Sequence, residues 1–439
     1  TFTTAPANGV AILVMFLGRS LDIGTPADNT VATAKIQNDA VGLAQMASGT
    51  DGNLITYDAS GDPANVATGT ATHVLTSNGA GAAPTFQAAS GGDLRNFIID
   101  GDFTQWPGGT TLPCPINTNT YGGGLWRVMS SNSAAVVSIM RGTDVPTVAQ
   151  SNHQSTYSLD IDYTTADSAL GSHDILGVDY VVTGSDYAHL HNAQQITLAF
   201  WIKATITGTS CVYFINSGYN RSYVAEFTIS STNTWEYKTI TLSTDNTGTW
   251  LFTEADKGLV VGFALSHIGS TYHATNETWT GTAQKHSTSS QVNHASSTSN
   301  IFRISQIGLY KGSSAPSAFL GQPISTVHDQ VSYYVYTTYN RFVNIGSNAP
   351  AGQHQWQSHA ADQKSYTTHS FPTSMRITPT VTFYTPVNGN SGKCADNDTG
   401  TEYTCAASQT NMHSVGIGPT ANLVAGNKYG VHIFANARH

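Results

Sequence analysis

The fold class is decided by Gln195-Ile196-Thr197-Leu198-Ala199-Phe200-Trp201-Ile202-Lys203. Most of its apolar residues are β-branched or aromatic, and turn-forming residues bound it, which is the pattern of a buried β-strand. Similar stretches recur at residues 134–140, 223–229, 235–242, 259–265 and 301–310. Many short strands separated by polar turns predict an all-β fold, arranged as a sandwich or barrel.

Helical periodicity is rare in this chain. Only residues 40–46 and 323–339 have helical spacing, the latter through Val327, Val331 and Tyr334. A second β region follows, with its clearest strands at residues 341–345, 380–384 and 429–437. Residues 273–299, a polar insertion within the first β region, are rich in Thr, Ser and His and predict a long surface loop.

Residues 28–87 contain near repeats. Residues 28–36 are matched ten positions later by 38–46, and residues 54–63 are matched twenty positions later by 74–84. Each unit has too few apolar residues to offset its own chain entropy, so it needs partners along its length. The partners are either stacked neighbouring repeats or other copies of the chain wound around a common axis. We favour the second arrangement, and the alternative is a flexible linker.

Composition excludes several classes of protein. Hydrophobic residues make up 39% of the 439 residues and charged residues only 10%, against about 25% charged in typical globular chains. The chain is therefore long and apolar enough for buried cores, with a neutral, hydroxyl-rich surface. The net charge is −9 and the chain has no basic run, so we expect no nucleic-acid partner.

The longest apolar run is residues 10–17. It is too short for a bilayer, which needs about 20 residues, so we expect no membrane insertion and interpret the run as a buried strand. Asn8-Gly9 supplies the hairpin turn before it. Since residue 1 is Thr rather than Met, we expect a further N-terminal portion.

Four cysteines are too few for a disulfide framework. Cys394 and Cys405 flank a polar segment, where a disulfide would close the loop of a hairpin, and free thiols are the equal alternative. Cys114 and Cys211 are expected to be small buried or free thiols.

Signatures of catalysis are weak, and we predict that the chain is not an enzyme. Asp160 and Asp162 share one face of a strand, as do His189 and His191, but both pairs are more simply explained as polar strand faces. The oxygen-rich residues 396–402 lack the full twelve-residue calcium pattern. We therefore predict no cofactor and no metal ligands, with a structural calcium as the one exception to consider.

Sugar recognition requires aromatic platforms and hydrogen-bonding side chains. Aromatic residues in loops are better candidates than those in strands, so Trp201 is assigned to the core. The predicted ligand-binding residues all lie in polar, turn-like surroundings: Trp250, Tyr272, Trp279, Trp356 and Tyr403.

Several motifs carry a family resemblance. Residues 96–106, which include Gly101-Asp102-Phe103, followed by Tyr121-Gly122-Gly123-Gly124-Leu125-Trp126, resemble the opening of jelly-roll, carbohydrate-binding-module-like domains in bacteriophage tail fibres. Where such domains usually have Asp-Arg-Trp, this chain has Gly124-Leu125-Trp126. Residues 200–203 resemble the central strand of these domains, and residues 371–381 resemble the hairpin of a fibre tip. The repeats and the N-terminal hairpin are similar to tail-fibre sequence of short-tailed phages. A structural calcium at Asn96, Asp100 and Asp102 is implied only if the resemblance extends that far.

The resemblance implies four domains. Residues 1–24 would end a virion-attachment β domain, 25–92 would form a trimeric repetitive shaft, 93–312 a jelly-roll β-sandwich, and 313–439 a receptor-binding tip. The implied function is host attachment by a homotrimeric fibre in the virion. Its partners would be other tail proteins at the N-terminal end and a bacterial surface glycan or outer-membrane protein. The alternatives are a polysaccharide depolymerase tailspike and a purely structural fibre.

Overall fold

The computed structural model describes residues 48–88 and 95–439, apart from positions 62, 72, 267, 268, 282, 283 and 360–363, and a few isolated positions before residue 48. The predicted strand at 10–17, the predicted helix at 40–46 and most of the ten-residue repeats lie outside the described residues. Asn8 and Gly9 are in a turn, with φ of +97° at Gly9. The chain divides into two compact units, residues 1–90 and 91–439.

The first unit contains two separate antiparallel hairpins. Strand β1 (Leu54–Tyr57) pairs with β2 (Pro63–Val66), and β3 (His73–Thr76) pairs with β4 (Thr85–Ala88). The twenty-residue repeat therefore corresponds to two copies of a hairpin, and each copy of the motif supplies the first strand and the turn after it. Both hairpins are short, and two-stranded hairpins are marginally stable alone.

The second unit opens with a sandwich of two six-stranded antiparallel sheets, which confirms the all-β prediction. We call them the front sheet, with strand order β14-β11-β16-β9-β8-β5, and the back sheet, with strand order β13-β12-β15-β10-β7-β6. The front strands are β5 (Thr111–Cys114), β8 (Val136–Gly142), β9 (Ser158–Thr165), β11 (Gln195–Ala204), β14 (Glu236–Ser243) and β16 (Ile301–Lys311). The back strands are β6 (Asn119–Gly122), β7 (Trp126–Ser131), β10 (Ile175–Thr183), β12 (Gly208–Asn216), β13 (Ser222–Ile229) and β15 (Lys257–Ala264). Helices α1 (Val148–Ser151) and α2 (Gly184–His191) lie between strands.

The core between the two sheets is built on alternation of side chains along the strands, interrupted at a bulge in β16. Trp126 is fully buried and its ring lies 5.5 Å from that of Tyr180 and 6.0 Å from that of Phe103. Asn96 fastens the entering chain to the last front strand, because its amide donates to the Ile307 carbonyl (3.0 Å) and its oxygen accepts from the Leu309 amide (3.0 Å). Hydrogen bonding thus accounts for the buried Asn96 side chain.

The outer face of the back sheet is also buried. Tyr213, Val224 and Val260 alternate with the core residues of their strands and form a second apolar layer. The long segment between β15 and β16 covers this layer, and His286 and His294 within that segment are fully buried. The prediction of a long surface loop at 273–299 was therefore correct only in part, since residues 275–278 are exposed but residues 286–288, 291, 294 and 295 are buried.

The outer face of the front sheet shows a second departure from expectation. Phe200 and Ile202 point into the core, so Trp201 between them faces outward, opposite Tyr237 on β14. Trp201 is only partly buried. Its assignment to the core was wrong, because an apolar run conceals which of its residues belongs to which face.

The C-terminal residues form an eight-stranded sheet around β24. Helix α3 (Ile324–Ser332) confirms the helical spacing in this region and precedes the strands. The strands are β17 (Val335–Thr337), β18 (His354–Gln357), β19 (Thr367–Ser370), β20 (Thr380–Tyr384), β21 (Lys393–Asp396), β22 (Glu402–Ser408), β23 (Ser414–Pro419) and β24 (Lys428–Asn436). This sheet has its own apolar cluster around Phe383, Val415 and Ile433.

The residues after 312 do not all leave the sandwich. Val327 and Val331 of α3, with Tyr334 and Val335 after it, belong to the same buried cluster as the sandwich core. The predicted start of a separate tip at 313 therefore falls within one compact unit. No helix in the described part of the chain is long and apolar enough to cross a membrane.

Candidate functional site

Two of the predicted ligand-binding residues, Trp250 and Trp279, come together at one end of the sandwich. Their ring centroids are 6.0 Å apart, and the planes are nearly perpendicular at 77°. His191 lies 5.4 Å from Trp250 and 4.9 Å from Phe252. We call His191, Trp250, Phe252 and Trp279 the aromatic ridge. Phe252 is 41% exposed, whereas His191, Trp250 and Trp279 are partly buried, and the two indoles pack against the sandwich core.

Three separate segments build the ridge. His191 is the last residue of α2, whereas Trp250 and Phe252 come from the β14–β15 connection and Trp279 from the long segment after β15. The Thr183 hydroxyl caps α2 by accepting from the Asp186 amide. Tyr187 and His191, four residues apart, share one helix face, and Trp250 stacks on Tyr187 at 4.8 Å and 20°.

The two indoles are held by hydrogen bonds to the backbone. Trp250 Nε1 donates to the Thr247 carbonyl at 2.7 Å, and Trp279 Nε1 donates to the Ser243 carbonyl at 2.9 Å. Their N–H groups are therefore satisfied within the protein, and the rings remain as apolar, polarisable surfaces. Rigid aromatic surfaces of this kind lose little conformational entropy when a ligand packs on them.

Fixed polar groups flank the ridge. Asp245 accepts from Arg221 Nε and from the Thr247 amide (3.0 Å). Burial by itself raises the pKa of Asp245, but the hydrogen bonds from Arg221 and Thr247 outweigh burial, so the net pKa is lowered and the group is a carboxylate at neutral pH. Asn220 is fixed by hydrogen bonds with Asn216 and Thr249.

A cleft of about 370 Å³ opens near the start of α2. Asp186, Glu254, Gln330, Tyr333 and Tyr334 are among the residues that line it. Burial, followed by the hydrogen bond to Glu254, raises the pKa of Tyr333 to about 12. The buried Oε1 of Gln330 has no hydrogen-bond partner among the described residues. Aromatic rings, carboxylates and amides here face one space, the chemistry that sugar hydroxyls require.

The other three predicted residues lie elsewhere. Tyr272 packs 5.6 Å from His286 over the back sheet. Trp356 and Tyr403 each lie 5.7 Å from Tyr429 in the C-terminal sheet. The five predicted residues therefore form one pair at the ridge, one pair in the C-terminal sheet and one isolated tyrosine.

The sequence analysis missed two ridge residues. Phe252 follows Trp250 by two positions in the same polar loop, and this clustering was an available signal. His191 was placed on a strand with His189, whereas both lie on helix α2. The short helix has little amphipathic pattern, and its buried residues are Gly184, Tyr187 and Leu190.

The candidate metal ligands are engaged in hydrogen bonds. The Asp396 carboxylate accepts from the Asp398 amide (2.9 Å) and from Asn427 Nδ2 (2.7 Å). The Asp100 carboxylate accepts from the Thr104 amide (2.7 Å) and the Gln105 amide (2.8 Å). Among the described residues, no group of three or more His, Cys, Asp or Glu side chains could hold a metal ion.

The carboxylates and cysteines singled out by sequence are also accounted for. Asp160 is buried and accepts from Arg303 Nε at 2.6 Å, so it is not on a solvated strand face. Cys114, Cys211, Cys394 and Cys405 are all buried free thiols. Of the two alternatives for Cys394 and Cys405, the structure has the free thiols, and both cysteines flank the same hairpin loop.

Several solved structures are similar to this chain. The enzymatically active domain of tailspike protein 4 from bacteriophage CBA120 is 11% identical, with a TM-score of 0.26, over 49% of this chain and 21% of that one. The family 11 carbohydrate-binding module from Clostridium thermocellum, in complex with a mixed-linked tetrasaccharide, is 11% identical, with a TM-score of 0.25, over 47% of this chain and 98% of that one. The N-terminal cellulose-binding domain of Cellulomonas fimi β-1,4-glucanase C is 14% identical, with a TM-score of 0.24, over 46% and 99%.

The similarity thus spans about a fifth of the tailspike chain and nearly all of the two binding modules. At these TM-scores, none of them assigns a function to this chain. No protein-family model matches it, and no curated protein matches its sequence.

Proposed function

We propose that this chain is a bacteriophage tail fibre that attaches the virion to its host by reversible binding of a surface glycan or outer-membrane component. The observation that carries the proposal is the aromatic ridge, in which Trp250, Phe252 and Trp279 form a rigid surface beside fixed polar groups. Apolar sugar faces stack on such rings, while vicinal hydroxyls pair with carboxylates and amides such as Asp245 and Asn220.

The hairpins of the first unit support a fibre of several copies. Ile55 is 59% exposed, Tyr57 68% and Val74 46% within a single chain. Copies of the same chain would cover these side chains, and we propose a homotrimer in the virion tail, anchored to other tail proteins at its N-terminal end. Three weak sites on one fibre would then act together, which raises avidity without new contacts.

The test is inhibition of phage adsorption by the purified full-length chain, with binding to isolated cell envelopes as a second measurement. Phe252→Ala should lower envelope binding about tenfold, equivalent to about 1.4 kcal/mol, because it removes the most exposed ring of the ridge. Tyr366→Ala is the matched control, since Tyr366 is 64% exposed and lies outside the ridge. Binding that is absent from every susceptible envelope would overturn the proposal.

A second candidate function rests on the cleft near α2. Asp186 and Glu254 both line it, and glycan cleavage uses two carboxylates on one cleft. Under this reading the chain would be a depolymerase, and host polysaccharide incubated with it would release reducing ends. Asp186→Asn and Glu254→Gln would each abolish that release. Unchanged reducing-end content would leave attachment as the function.

A further inference from the structure

The front sheet contains a β-bulge in β16. One of the side chains at this bulge, that of Gln306, has no obvious role in the fold. Ala199 pairs with Gly308 and Trp201 pairs with Ser305, so two residues of β16 lie opposite the single Phe200. Gln306 is one of the two, and its φ is +50°. A left-handed conformation costs a non-glycine residue about 1 kcal/mol, and bulges of this kind often re-aim a side chain next to a functional site.

The amide of Gln306 is buried and only half satisfied. Gln306 is 2% exposed, and its Nε2 donates to Ser151 Oγ (3.0 Å) and Ser155 Oγ (2.8 Å). Its Oε1 has no partner in the part of the chain that the structure describes. An unpaired buried acceptor costs about 1–3 kcal/mol. Reversing the amide would leave its nitrogen unpaired instead, so one polar atom of the side chain stays unpaired in either orientation.

Gln306 lines a cavity of about 160 Å³ on the outer face of the front sheet. Trp201 and Tyr237 form one wall, with ring centroids 5.6 Å apart and planes at 46°. Tyr237 is 45% exposed. Tyr310 lies over Gly308, where a Cβ would come within 2.2 Å of the tyrosine hydroxyl. Residues 316–319 close the opposite side.

The described residues that line this cavity include no Asp, Glu, Lys, Arg or His. A carboxylate or phosphate ligand would therefore lose its hydration without a compensating cation. A neutral ligand that is apolar on one face and carries hydroxyls at its edge fits the aromatic wall and the unpaired amide. A hydroxyl both donates and accepts, so it satisfies either orientation of Gln306.

We propose that this cavity binds a single neutral pyranose ring at the end of a glycan chain, stacked on Trp201 or Tyr237 and hydrogen-bonded to Gln306. The cavity volume of about 160 Å³ has room for one sugar ring. This inference rests on the proposed glycan-binding function and assigns a second site to it. The aromatic ridge is an open surface suited to an extended glycan chain, whereas the cavity binds the terminal sugar residue.

The test uses saturation-transfer NMR of the full-length chain with methyl glucopyranoside, methyl galactopyranoside and methyl N-acetylglucosaminide. Each is used at about 10 mM, which detects millimolar dissociation constants. We expect transfer to at least one of them and none to methyl glucuronide, which carries a charge. Gln306→Leu and Tyr237→Ala should each weaken the binding at least tenfold, whereas Tyr366→Ala should not change it.

Tyr237→Ala is a surface truncation, so it keeps the test valid if Gln306→Leu does not fold. Absence of transfer from all three neutral glycosides, or equal binding by the wild type and Tyr237→Ala, would overturn the inference. If the wild-type chain bound cell envelopes but none of the three neutral glycosides, only the proposed cavity site would be overturned. Absence of envelope binding by the wild-type chain would overturn the proposed attachment function.

Discussion

Arg127 and Asp179 lie directly opposite each other on β7 and β10 and form a two-bond ion pair on the outer face of the back sheet. The Nε–Oδ1 distance is 2.6 Å and the Nη2–Oδ2 distance is 3.1 Å. Their side chains are 8% and 1% exposed. Charges this deeply buried depend on each other, because neither can regain its hydration.

Removing one partner of this pair should destabilise the second unit strongly. We expect Arg127→Met to lower the free energy of unfolding by about 3–5 kcal/mol, because Asp179 is left buried without its cation. Urea denaturation followed by circular dichroism measures the change. The double variant Arg127→Met with Asp179→Leu should recover much of the loss. A loss in the double variant as large as in the single one would show that packing, not the charge pair, is responsible.

Acid should destabilise the fold through buried neutral histidines. Burial lowers the pKa of His294 to about 4, and burial followed by the charge of His354 lowers the pKa of His369 to about 4. Since the unfolded pKa is about 6.5, the unfolded chain binds more protons between pH 6.5 and 4. The stability that these groups contribute is therefore fully present above pH 6.5 and lost as the pH falls towards 4.

The comparison of His294→Gln with the wild type isolates one of these groups. Asp100 has the opposite effect on the pH dependence of stability, because burial raises its pKa to about 7. Both proteins contain Asp100, so its contribution cancels in the comparison. We expect the stability advantage of the wild type over His294→Gln to shrink by about 2–3 kcal/mol between pH 7 and pH 4. Denaturant titrations at several pH values measure it. A difference that does not vary with pH would contradict the neutral, buried state of His294.

The hairpins of the first unit should hold copies of the chain together. Light scattering after size exclusion should give about three times 46.4 kDa. Val74→Asp should lower that mass, since a charge on the apolar hairpin face opposes its burial between copies. Val424→Asp is the control, because Val424 is 52% exposed in the second unit against 46% for Val74. If the wild-type chain were a monomer, the trimeric shaft would be ruled out and residues 28–87 would be interpreted as a linker.

The four cysteines should resist alkylation in the folded chain. The hydrogen bond to Cys405 and then burial raise the pKa of the Cys394 thiol, and burial raises the pKa of Cys211 to about 11. Iodoacetamide reacts with the thiolate, so mass spectrometry should find no labelled cysteine before unfolding and four afterwards. A chain lighter by two hydrogens, with two unlabelled cysteines after unfolding, would show a Cys394–Cys405 disulfide instead.

Strands and the isolated helix could be predicted because their signals are local. The apolar run at 195–203 became β11, and the spacing of Val327 and Val331 became α3. The twenty-residue repeat became two hairpins, since each copy carries its own turn. The predicted strand at 341–345 was wrong, since those residues form turns and irregular chain, and His189 and His191 lie on a helix and not on a strand. Other failures concerned surroundings. His191 and Trp201 were misplaced because a residue's neighbours in sequence do not reveal the other segments that pack against it.

The sequence by itself determined the all-β class, several strands such as β11 and β24, the twenty-residue repeat and a composition poor in charge, because periodicity and composition are properties of the chain alone. Only the tertiary structure decided that Trp250 and Trp279 meet, that Trp201 faces outward beside Gln306, and that the segment at 273–299 covers the outer face of the back sheet. These facts depend on pairings between residues far apart in sequence, such as Trp201 with Ser305. Their register is set by burial of whole sheet faces, which no local pattern records.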